Sequence, residues 1–420
     1  MKIKSIREIK SVKNKRIIVR VDFNVPLKQE TNNPEAVRKL ADRYGAGKKQ
    51  EIIKDDARIK AVLPTIKYLA DKGAKVILIS HLGDPLKNKE LRIKKQQFSL
   101  TPVALKLEKL LGVKIRFIDD CIGKKIENRV KKMKEGEIVL LENLRFYAGE
   151  EKNDEIFAKN LAKLAQIYIN EAFSVSHREH ASVSAITKFL PSYAGFLLEK
   201  EVAVLTKVLK KPERLFLVII GGAKISTKIK VIENLLERVD YLLLGGALVN
   251  NFFKAQGYNV GKSLIETDYI KVAQNLLTGP KKEKLVLPID VLVAKKIEPS
   301  AEPLVRHLNE VKDDEIILDI GPETIRSFAY LIKEAKTILW NGPLGMFELP
   351  RFRNGSIMIA RVIASRSQGQ AYGIVGGGET IECLNQTKMA QYVDWISTGG
   401  GAMLEFLEGK ILPGIKPLLK

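Results

Sequence analysis

The sequence predicts an α/β protein built from two doubly wound, parallel-sheet domains, and three observations support this. Short apolar runs without polar alternation recur along the chain, as expected for strands that are covered on both faces. Segments with helical periodicity separate these runs, which is the order of a parallel α/β sheet. The chain has 420 residues, which is more than one hydrophobic core usually serves.

The apolar runs fall into two series, one in each half of the chain. The first comprises RIIVRVD (16–22), KVILIS (75–80), EIVLLEN (137–143) and IYINEAF (167–173). The second comprises LFLVII (215–220), DYLLLGG (240–246), KLVLPID (284–290), TILWNG (337–342) and AYGIVGGG (371–378). Between them, KIKVIENLLERV repeats isoleucine and leucine at helical spacing, which predicts an amphipathic helix packed on a sheet. Two series therefore predict two sheets of the Rossmann-like type.

The domain boundary is predicted within or near the helical stretch 196–215, which would then bridge the two domains. The first domain is predicted to cover 1–195 and the second 196–400. Residues 28–54 are polar and include a short helix-like patch. They predict a surface insertion, because lengthening a surface loop costs little entropy.

Composition predicts a soluble, cytoplasmic protein. No run of eighteen apolar residues occurs, which argues against a membrane span, and the basic N-terminus lacks the apolar centre of a secretory signal. Cys121 and Cys383 lie far apart and make no disulfide framework. His177 and His180 have HxxH spacing, but no cysteine or third histidine is close in sequence, so we expect no structural metal there.

The net charge of +22, from 71 basic and 49 acidic residues, allows two interpretations. A large positive field attracts nucleic acid, but it also suits small anionic substrates. The lysines are spread along the whole chain, and no zinc-finger spacing, aromatic RNA-binding strand or basic zipper occurs. We favour small anionic ligands and expect neither a membrane nor a nucleic-acid partner.

Cationic side chains follow the apolar runs of the first half. In open α/β sheets, ligands bind beyond the carboxyl ends of the strands. The polar residues at or after those ends, together with one that opens a helix-like stretch, are Asp22, Asn24, Arg58, His81, Arg145, His177 and Arg178. Arginine pairs with phosphate or carboxylate through two hydrogen bonds. One surface arginine would simply be solvated, but several cationic groups at matching strand ends predict an anion pocket.

Glycine-rich turns take the same place in the second half. They are Gly221–Gly222 before Ala223 and Lys224, Gly376–Gly378 before Glu379 and Thr380, and Gly399–Gly401 after Ser397 and Thr398. Glycine lets backbone approach a ligand closely, and helix N-termini present free N–H groups to phosphate. Three such turns, each predicted to open a helix, indicate a nucleotide site. Lys224 and Lys228 are one helical turn apart, so both are expected to reach one phosphate chain.

Two other nucleotide motifs are excluded. Residues 257–263, GYNVGKS, are one residue short of a P-loop, and no strand leads directly into them. No GxGxxG motif with a downstream acid indicates a dinucleotide site.

The sequence resembles the phosphoglycerate kinase family, whose members exchange a phosphoryl group between 1,3-bisphosphoglycerate and ADP. The matching segments are RVDFNVPL (20–27), ARIKAVLPTI (57–66), SHLG (80–83), LLENLRF (140–146), GGAKIS (221–226), WNGPLGMFE (340–348), GGGET (376–380) and STGGGA (397–402). They span nearly the whole chain in the family's order.

The resemblance implies two sets of ligand-binding residues. The phosphoglycerate set is Asp22, Asn24, Arg58, His81, Arg145 and Arg178. The predicted site also includes His177, from its place after a strand, and Asp84, which stands at the position of a further family ligand. The nucleotide set is Gly222, Ala223, Lys224, Lys228, Asn341, Glu348, Gly377, Gly378, Glu379 and Thr380. In family terms, Glu348 binds the ribose hydroxyls, and Glu379 holds the magnesium that bridges the phosphates of ATP or ADP. The family also implies a monomer with closing lobes, whose C-terminal segment, here 401–420, returns to the N-terminal domain.

Phosphoryl transfer requires in-line positioning and stabilisation of charge on the transferred oxygens. We expect Arg58, Lys224 and the backbone N–H groups around Gly400 to supply that stabilisation. The acceptor is a carboxylate or an ADP oxygen, already ionised near neutral pH, so no general base is needed. Two ligands on separate lobes then require closure, which also expels water.

The chain departs from the family's pattern at several positions. Asp84 follows SHLG where arginine is usual, so an anion replaces a phosphate-binding cation; we expect weaker substrate binding, with Arg92 or a lysine of 87–95 as substitute. Glu379, Thr227 and Glu171 stand where aspartate is usual.

These departures leave an alternative hypothesis, a catalytically weakened relative that binds nucleotide or nucleic acid. Asp84 and Glu379 favour it. The retained Arg58, Lys224 and Lys228 oppose it.

Overall fold

The computed structural model describes residues 1–30, 50–87 and 97–420. The chain divides into two compact units, Met1–Ala203 with Ile411–Lys420, and Val204–Lys410. Each unit contains a six-stranded sheet, and the strand pairs in both sheets are parallel. The predicted fold class, two parallel-sheet α/β domains, is confirmed.

The first unit surrounds the sheet β5-β6-β4-β1-β7-β8. Its strands are β1 Arg16–Arg20, β2 Leu27–Glu30, β3 Gln50–Ile53, β4 Lys75–Ile79, β5 Ile115–Ile118, β6 Ile138–Leu141, β7 Ile167–Asn170 and β8 Ser192–Ala194. Its helices are α1 Ala57–Asp71, α2 Thr101–Leu111, α3 Lys124–Lys131, α4 Ala148–Glu151 and α5 Glu155–Ala162, and α6 Phe196–Lys210 crosses the boundary between the units.

Strand β1 shows why the apolar runs lack alternation. Ile17 and Val19 pack into the apolar cluster on one face of the sheet, whereas Ile18 packs with Ile77 of β4 into the cluster on the other face. Successive side chains of a strand point to opposite faces, so a strand covered on both faces needs apolar residues throughout. Burying each such side chain contributes roughly 1.5–3 kcal/mol.

The ends of the predicted insertion form a hairpin. Strands β2 and β3 pair antiparallel, with Leu27 opposite Ile53. The rest of the 28–54 segment, including its helix-like patch, lies outside the described residues, as do Arg92 and most of the 87–95 run.

The second unit surrounds the sheet β11-β10-β9-β15-β16-β17. Its strands are β9 Phe216–Ile220, β10 Tyr241–Leu244, β11 Leu285–Val286, β12 Asp290–Ala294, β13 Leu304–His307, β14 Ile316–Ile320, β15 Thr337–Asn341, β16 Tyr372–Gly376 and β17 Trp395–Ser397. Its helices are α7 Ile229–Leu236, α8 Asn250–Ala255, α9 Ile270–Thr278, α10 Pro322–Glu334, α11 Asn354–Arg366, α12 Gly378–Gln386 and α13 Gly401–Leu407.

A three-stranded antiparallel sheet, β13-β12-β14, was not predicted. The run 284–290 was expected to form one strand of the parallel sheet, and this is wrong. Only Leu285–Val286 joins that sheet, as its edge strand β11, and Asp290 begins β12 of the antiparallel sheet. Pro288 lies between the two strands and has no N–H for a sheet ladder.

The start of α6 is fixed by Glu171, one of the departures from the family pattern. Its carboxylate accepts hydrogen bonds from the backbone N–H groups of Leu197 and Leu198, at 3.0 and 3.2 Å, and from the hydroxyl of Thr65. Burial raises the pKa of Glu171 to about 7. The longer glutamate thus makes the contacts that a helix cap needs.

The C-terminal tail belongs to the first unit. Lys4 N donates to the carbonyl of Leu418 at 2.7 Å, and Gly414 N donates to that of Ser176 at 2.8 Å. This return begins at Ile411 and not at residue 401, because α13 stays in the second unit, where Asn234 of α7 donates to the Leu407 carbonyl. Across the described parts of the chain, every helix is too short or too polar to span a bilayer.

Candidate active site

The first candidate site forms where the strands of the first sheet end. Parallel strands deliver their carboxyl ends to one edge. The chain runs from β1 into Asp22 and Asn24, from β4 into His81, and from β6 into Arg145. Arg58 is the second residue of α1. These side chains come from distant parts of the sequence, yet hydrogen bonds link them into one cluster.

Asp22 orients Arg58. Arg58 NH1 lies 2.6 Å from Asp22 Oδ2 and 3.2 Å from the carbonyl oxygen of Asn24. Ser174 also donates to Asp22 Oδ2, at 2.5 Å. Burial alone would raise the pKa of Asp22, but the charge of Arg58 and these hydrogen bonds outweigh it and lower the pKa. Arg58 remains 40% exposed, so the ion pair positions its guanidinium without burying it.

His81 is a neutral donor and not the cation that the sequence predicted. Arg20 NH2 lies 3.2 Å from His81 Nδ1, and because a guanidinium only donates, Nδ1 accepts and the ring proton is on Nε2. Asp22 Oδ1, at 3.9 Å from Nδ1, is too far for a hydrogen bond. Burial, reinforced by the charge of Arg20, lowers the pKa of His81 well below its usual value.

Arg145 is buried and held on several sides. Its backbone N–H donates to Asn143 Oδ1 at 3.0 Å, which fixes the turn after β6. Its NH1 donates to the carbonyl of Gly83 at 2.8 Å and to Asp84 Oδ1 at 2.7 Å. Gly83 N in turn donates to Asn24 Oδ1 at 2.9 Å. Asp84 therefore joins the cluster as the partner of a predicted substrate-binding arginine.

Arg178 and His177 lie at the margin of the same cluster. Arg178 is exposed and His177 half-buried. Burial lowers the pKa of His180 to about 3, and the charges of Arg20, Arg145, Arg178 and His177 lower it further. Arg178 and His177 therefore lie close enough to His180 to interact with it. The HxxH pair is therefore surrounded by positive charge, which disfavours a metal ion.

The second candidate site is a cavity of about 380 Å³ in the second unit, a size typical of small-molecule pockets. Its wall is mainly apolar, with Val291, Ile316 and Leu344 among the contributors. The residues predicted for the nucleotide that line it are Gly222, Ala223, Glu348 and Glu379.

Lys228 and Asn341 form a partly buried polar pair in the same unit. Lys228 Nζ donates to Asn341 Oδ1, and Asn341 Nδ2 donates to the Gly376 carbonyl at 2.9 Å. The hydroxyl of Thr380 accepts from Gly342 N at 2.7 Å, which joins the turns after β15 and β16. Burial lowers the pKa of Lys228 to about 8, although Glu379 opposes this shift. Lys228, Asn341, Thr380 and Glu379 therefore lie together.

Lys224 does not share a helix with Lys228, and the predicted helical spacing of the two lysines is wrong. Helix α7 begins only at Ile229. Ser226 donates to the Glu266 carboxylate through both its N–H, at 2.9 Å, and its hydroxyl, at 2.6 Å, which holds the preceding segment in turns. Thr227 donates to the Lys224 carbonyl at 2.9 Å. Lys224 is exposed, whereas Lys228 is half-buried.

The other two glycine turns do open helices. Gly377 and Gly378 lead into α12, and Gly400 leads into α13. Because β16 and β17 are parallel neighbours, both turns lie on the same edge of the sheet. Helix α12 begins next to Asn341, and Thr380 belongs to its first turn. The free N–H groups of such a first turn are the kind that bind phosphate.

We expect Gly377→Ala to weaken MgADP binding at least about tenfold and to lower the free energy of unfolding by about 1–2 kcal/mol. Gly377 has φ of 98°, and an added Cβ would lie 3.1 Å from Asn341 Nδ2 and from Thr380 Oγ1. Gly369→Ala is the matched control, with φ of 85° and no atom within 4 Å of the added Cβ. Calorimetric titration with MgADP measures both variants, and equal affinities would contradict a role for this turn in the nucleotide site.

Nucleotide affinity should fall severalfold as the pH rises from 7 to 9. Lys228 has a pKa of about 8 in the free protein, so its ammonium is mostly present below that pH and lost above it. An anionic phosphate chain binds the protonated form. The Michaelis constant for ATP, measured across this range, should therefore rise with pH. Lys228→Arg should give a flatter profile, because arginine stays protonated; a flat profile in the unmodified protein would refute the assignment.

Several residues of these sites were not predicted. In the first they are Arg20, Asn143, Glu151 and Ser174, and in the second Gly246, Lys262 and Asp319. Arg20 had a signal, since it is a charged residue inside the apolar run of β1. Asp319 likewise is a charged residue inside strand β14, and Glu151 ends helix α4. The remaining residues lie in turns and connections whose sequence carries no periodic pattern.

The two parallel-sheet units, one with clustered arginines and the other with a cavity that Gly222 and Gly246 help to line, have the architecture expected of a two-domain α/β kinase. The family model for phosphoglycerate kinase matches residues 45–410. The chain therefore belongs to the phosphoglycerate kinase family, and it is a kinase of glycolysis.

Individual relatives match over nearly all of the chain. The phosphoglycerate kinase of Borrelia garinii subsp. bavariensis is 44% identical over 422 residues, with 100% of both chains covered. That of Moorella thermoacetica is 47% identical over 407 residues, with 96% of each covered. The solved phosphoglycerate kinase from Coxiella burnetii is 38% identical, covers 99% of each chain and superimposes with a TM-score of 0.82. The resemblance found in the sequence is confirmed.

Proposed function

We propose that the chain reversibly transfers a phosphoryl group between 1,3-bisphosphoglycerate and ADP, giving 3-phosphoglycerate and ATP. The observation that carries this proposal is the cluster around Arg58, in which Asp22 aims an accessible guanidinium beside the His81 and Arg145 groups. Such a cluster suits a small ligand with both phosphate and carboxylate groups. Asn24, Arg178 and His177 complete the proposed phosphoglycerate site.

In the direction of ATP synthesis, an oxygen of the ADP β-phosphate attacks the phosphorus of the acyl phosphate. The bond between that phosphorus and the carboxyl oxygen breaks, and the carboxylate leaves with the electron pair. Both oxygens are ionised near neutral pH, so no proton is transferred. Arg58, Lys224 and the N–H groups at Gly400 stabilise the charge on the transferred oxygens, and lobe closure brings the ligands together.

The nucleotide occupies the cavity of the second unit in this proposal. Its phosphates lie near Lys228 and the turn Gly377–Thr380, and Glu348 contacts the ribose. Glu379 would hold the magnesium of the nucleotide complex, and the ion would neutralise charge on the phosphates. Among the described residues, no group of three or more His, Cys, Asp or Glu side chains is placed to hold a metal. This agrees with Mg²⁺, which commonly uses one or two carboxylates together with substrate phosphates.

On the family resemblance, we propose that the protein acts as a cytoplasmic monomer on these small substrates. The alternative of a weakened nucleotide- or nucleic-acid-binding relative gains no support from the comparisons.

A coupled assay of ATP consumption tests the proposed function. ATP should be consumed in the presence of 3-phosphoglycerate and Mg²⁺, and consumption should cease when either is omitted. Glycerate, which lacks the phosphate, serves as the control substrate and should support little turnover. ATP consumption that does not depend on 3-phosphoglycerate would contradict the proposal.

A further inference from the structure

Asp84 accepts a hydrogen bond from one nitrogen of the Arg145 guanidinium, NH1. Asp84 Oδ1 lies 2.7 Å from Arg145 NH1, with the Asp84 side chain 33% exposed and that of Arg145 only 5% exposed. Charge-assisted hydrogen bonds of this length are among the strong ones. Asp84 stands where the family usually has arginine. It therefore removes one cation from the site and also forms an ion pair with another, Arg145.

The remaining donors of Arg145 show what this contact excludes. NH1 carries two protons, and they are directed to Gly83 O, at 2.8 Å, and to Asp84. Nε faces Glu151 Oε1 at 3.2 Å. NH2 is buried and has no hydrogen-bond partner among residues 1–30, 50–87 and 97–420. A phosphate or carboxylate that binds Arg145 through two nitrogens has to use NH2 together with a nitrogen that an acidic side chain already faces.

The charges around Arg145 also disfavour the binding of a further anion. Burial lowers the pKa of Arg145, and the carboxylates of Asp84 and Glu151 are the main groups that oppose this shift. Two anions therefore balance the buried cation before any ligand arrives.

We propose that Asp84 sets the affinity of the anion site, because its carboxylate competes with the substrate's anionic group for Arg145. An anion that binds Arg145 through NH1 and NH2 has to displace Asp84 from NH1. This inference rests on the proposed function for the identity of the substrate. The competition itself applies to any small tetrahedral oxyanion.

Binding calorimetry on the full-length chain tests the competition, with inorganic sulfate and 3-phosphoglycerate as separate probes. Asp84→Ala should bind both probes about five- to tenfold more tightly than the unmodified protein, because it frees NH1 and removes a nearby negative charge. Asp84→Asn should give a smaller gain, since its amide oxygen still accepts from NH1. A gain in affinity cannot arise from partial unfolding, so the result is independent of stability effects.

Two control variants separate competition from net charge. Asp119→Asn makes the same charge change at an exposed residue that pairs with Arg129 and Lys125, and should leave sulfate affinity unchanged. Glu151→Gln neutralises the other carboxylate at Arg145 and should give a smaller gain than Asp84→Ala. Equal gains in Asp84→Ala and either control would overturn the proposal.

The two proposals fail in different ways. If the unmodified protein turns over 3-phosphoglycerate but Asp84→Ala binds sulfate no more tightly, the competition is refuted and the proposed reaction stands. If sulfate affinity rises as expected but 3-phosphoglycerate neither binds nor reacts, the competition stands and the proposed substrate is wrong.

Discussion

Arg58→Ala is expected to lower 3-phosphoglycerate-dependent turnover by about a thousandfold and to leave MgADP affinity unchanged. Removing a single preorganised donor from a reacting oxyanion costs about 10²–10³ in rate, and a transition-state arginine costs more. Arg58 is held by Asp22 at 2.6 Å, so its loss also leaves a buried carboxylate without its main counter-charge. Steady-state kinetics and calorimetric MgADP titration measure the two effects separately.

Lys60→Ala provides the matched control for Arg58. Lys60 lies on the same helix, is exposed and pairs with Asp56 at 2.9 Å. An exposed ion pair of this kind contributes about 0–1 kcal/mol to stability, so Lys60→Ala should retain normal turnover. Turnover of Arg58→Ala within a few fold of Lys60→Ala would refute the role assigned to Arg58.

Lys228→Met is expected to raise the Michaelis constant for MgATP at least about tenfold and to lower kcat by about a hundredfold. Methionine has nearly the length of the lysine stem but carries no charge. The substitution leaves Asn341 Oδ1 without its donor and removes the cation whose charge interacts with Glu379. Because 3-phosphoglycerate is proposed to bind the other unit, its affinity should not change.

Lys230→Met is the control for this substitution, since Lys230 is exposed in the first turn of α7, the helix that begins directly after Lys228. It removes the same charge and should leave both Michaelis constants unchanged. If Lys228→Met bound MgATP as tightly as Lys230→Met, the nucleotide phosphates would have to lie elsewhere.

The parallel sheets could be predicted because burial on both faces leaves an unmistakable pattern. Every residue of β9 and of β15 is buried. The run of β9 is apolar throughout, and that of β15 is apolar between Thr337 and Asn341. Strands with one exposed face were missed. Strand β13 is largely exposed and β5 has an exposed residue in its middle, so neither forms a continuous apolar run that would separate it from a loop or a short helix.

Positions of the candidate site residues followed from strand ends, but their protonation and pairing did not. The sequence predicts that His81 follows β4, yet only the position of Arg20 beside Nδ1 shows that the ring is neutral. Likewise, Asp84 was expected to remove a cation, but its contact with Arg145 depends on two loops 61 residues apart. Contacts between distant loops leave no periodic signal.

The segment around Lys224 shows a similar limit. Helical spacing between Lys224 and Lys228 was a reasonable local inference. The contact of Ser226 with Glu266, 40 residues away, competes with helix formation by engaging a backbone N–H and a hydroxyl. Tertiary contacts of this kind override local periodicity.

Trapping the reaction product is the most direct test of the proposed chemistry. When the protein is incubated with 3-phosphoglycerate, MgATP and hydroxylamine, an acyl phosphate product should be captured as the hydroxamate of 3-phosphoglycerate, in an amount equal to the ADP formed. Hydroxamate formation that equals ADP formation and disappears in Arg58→Ala is the predicted result. ADP formation without hydroxamate would show that the phosphoryl group is not transferred to the carboxylate, and would contradict the proposed reaction.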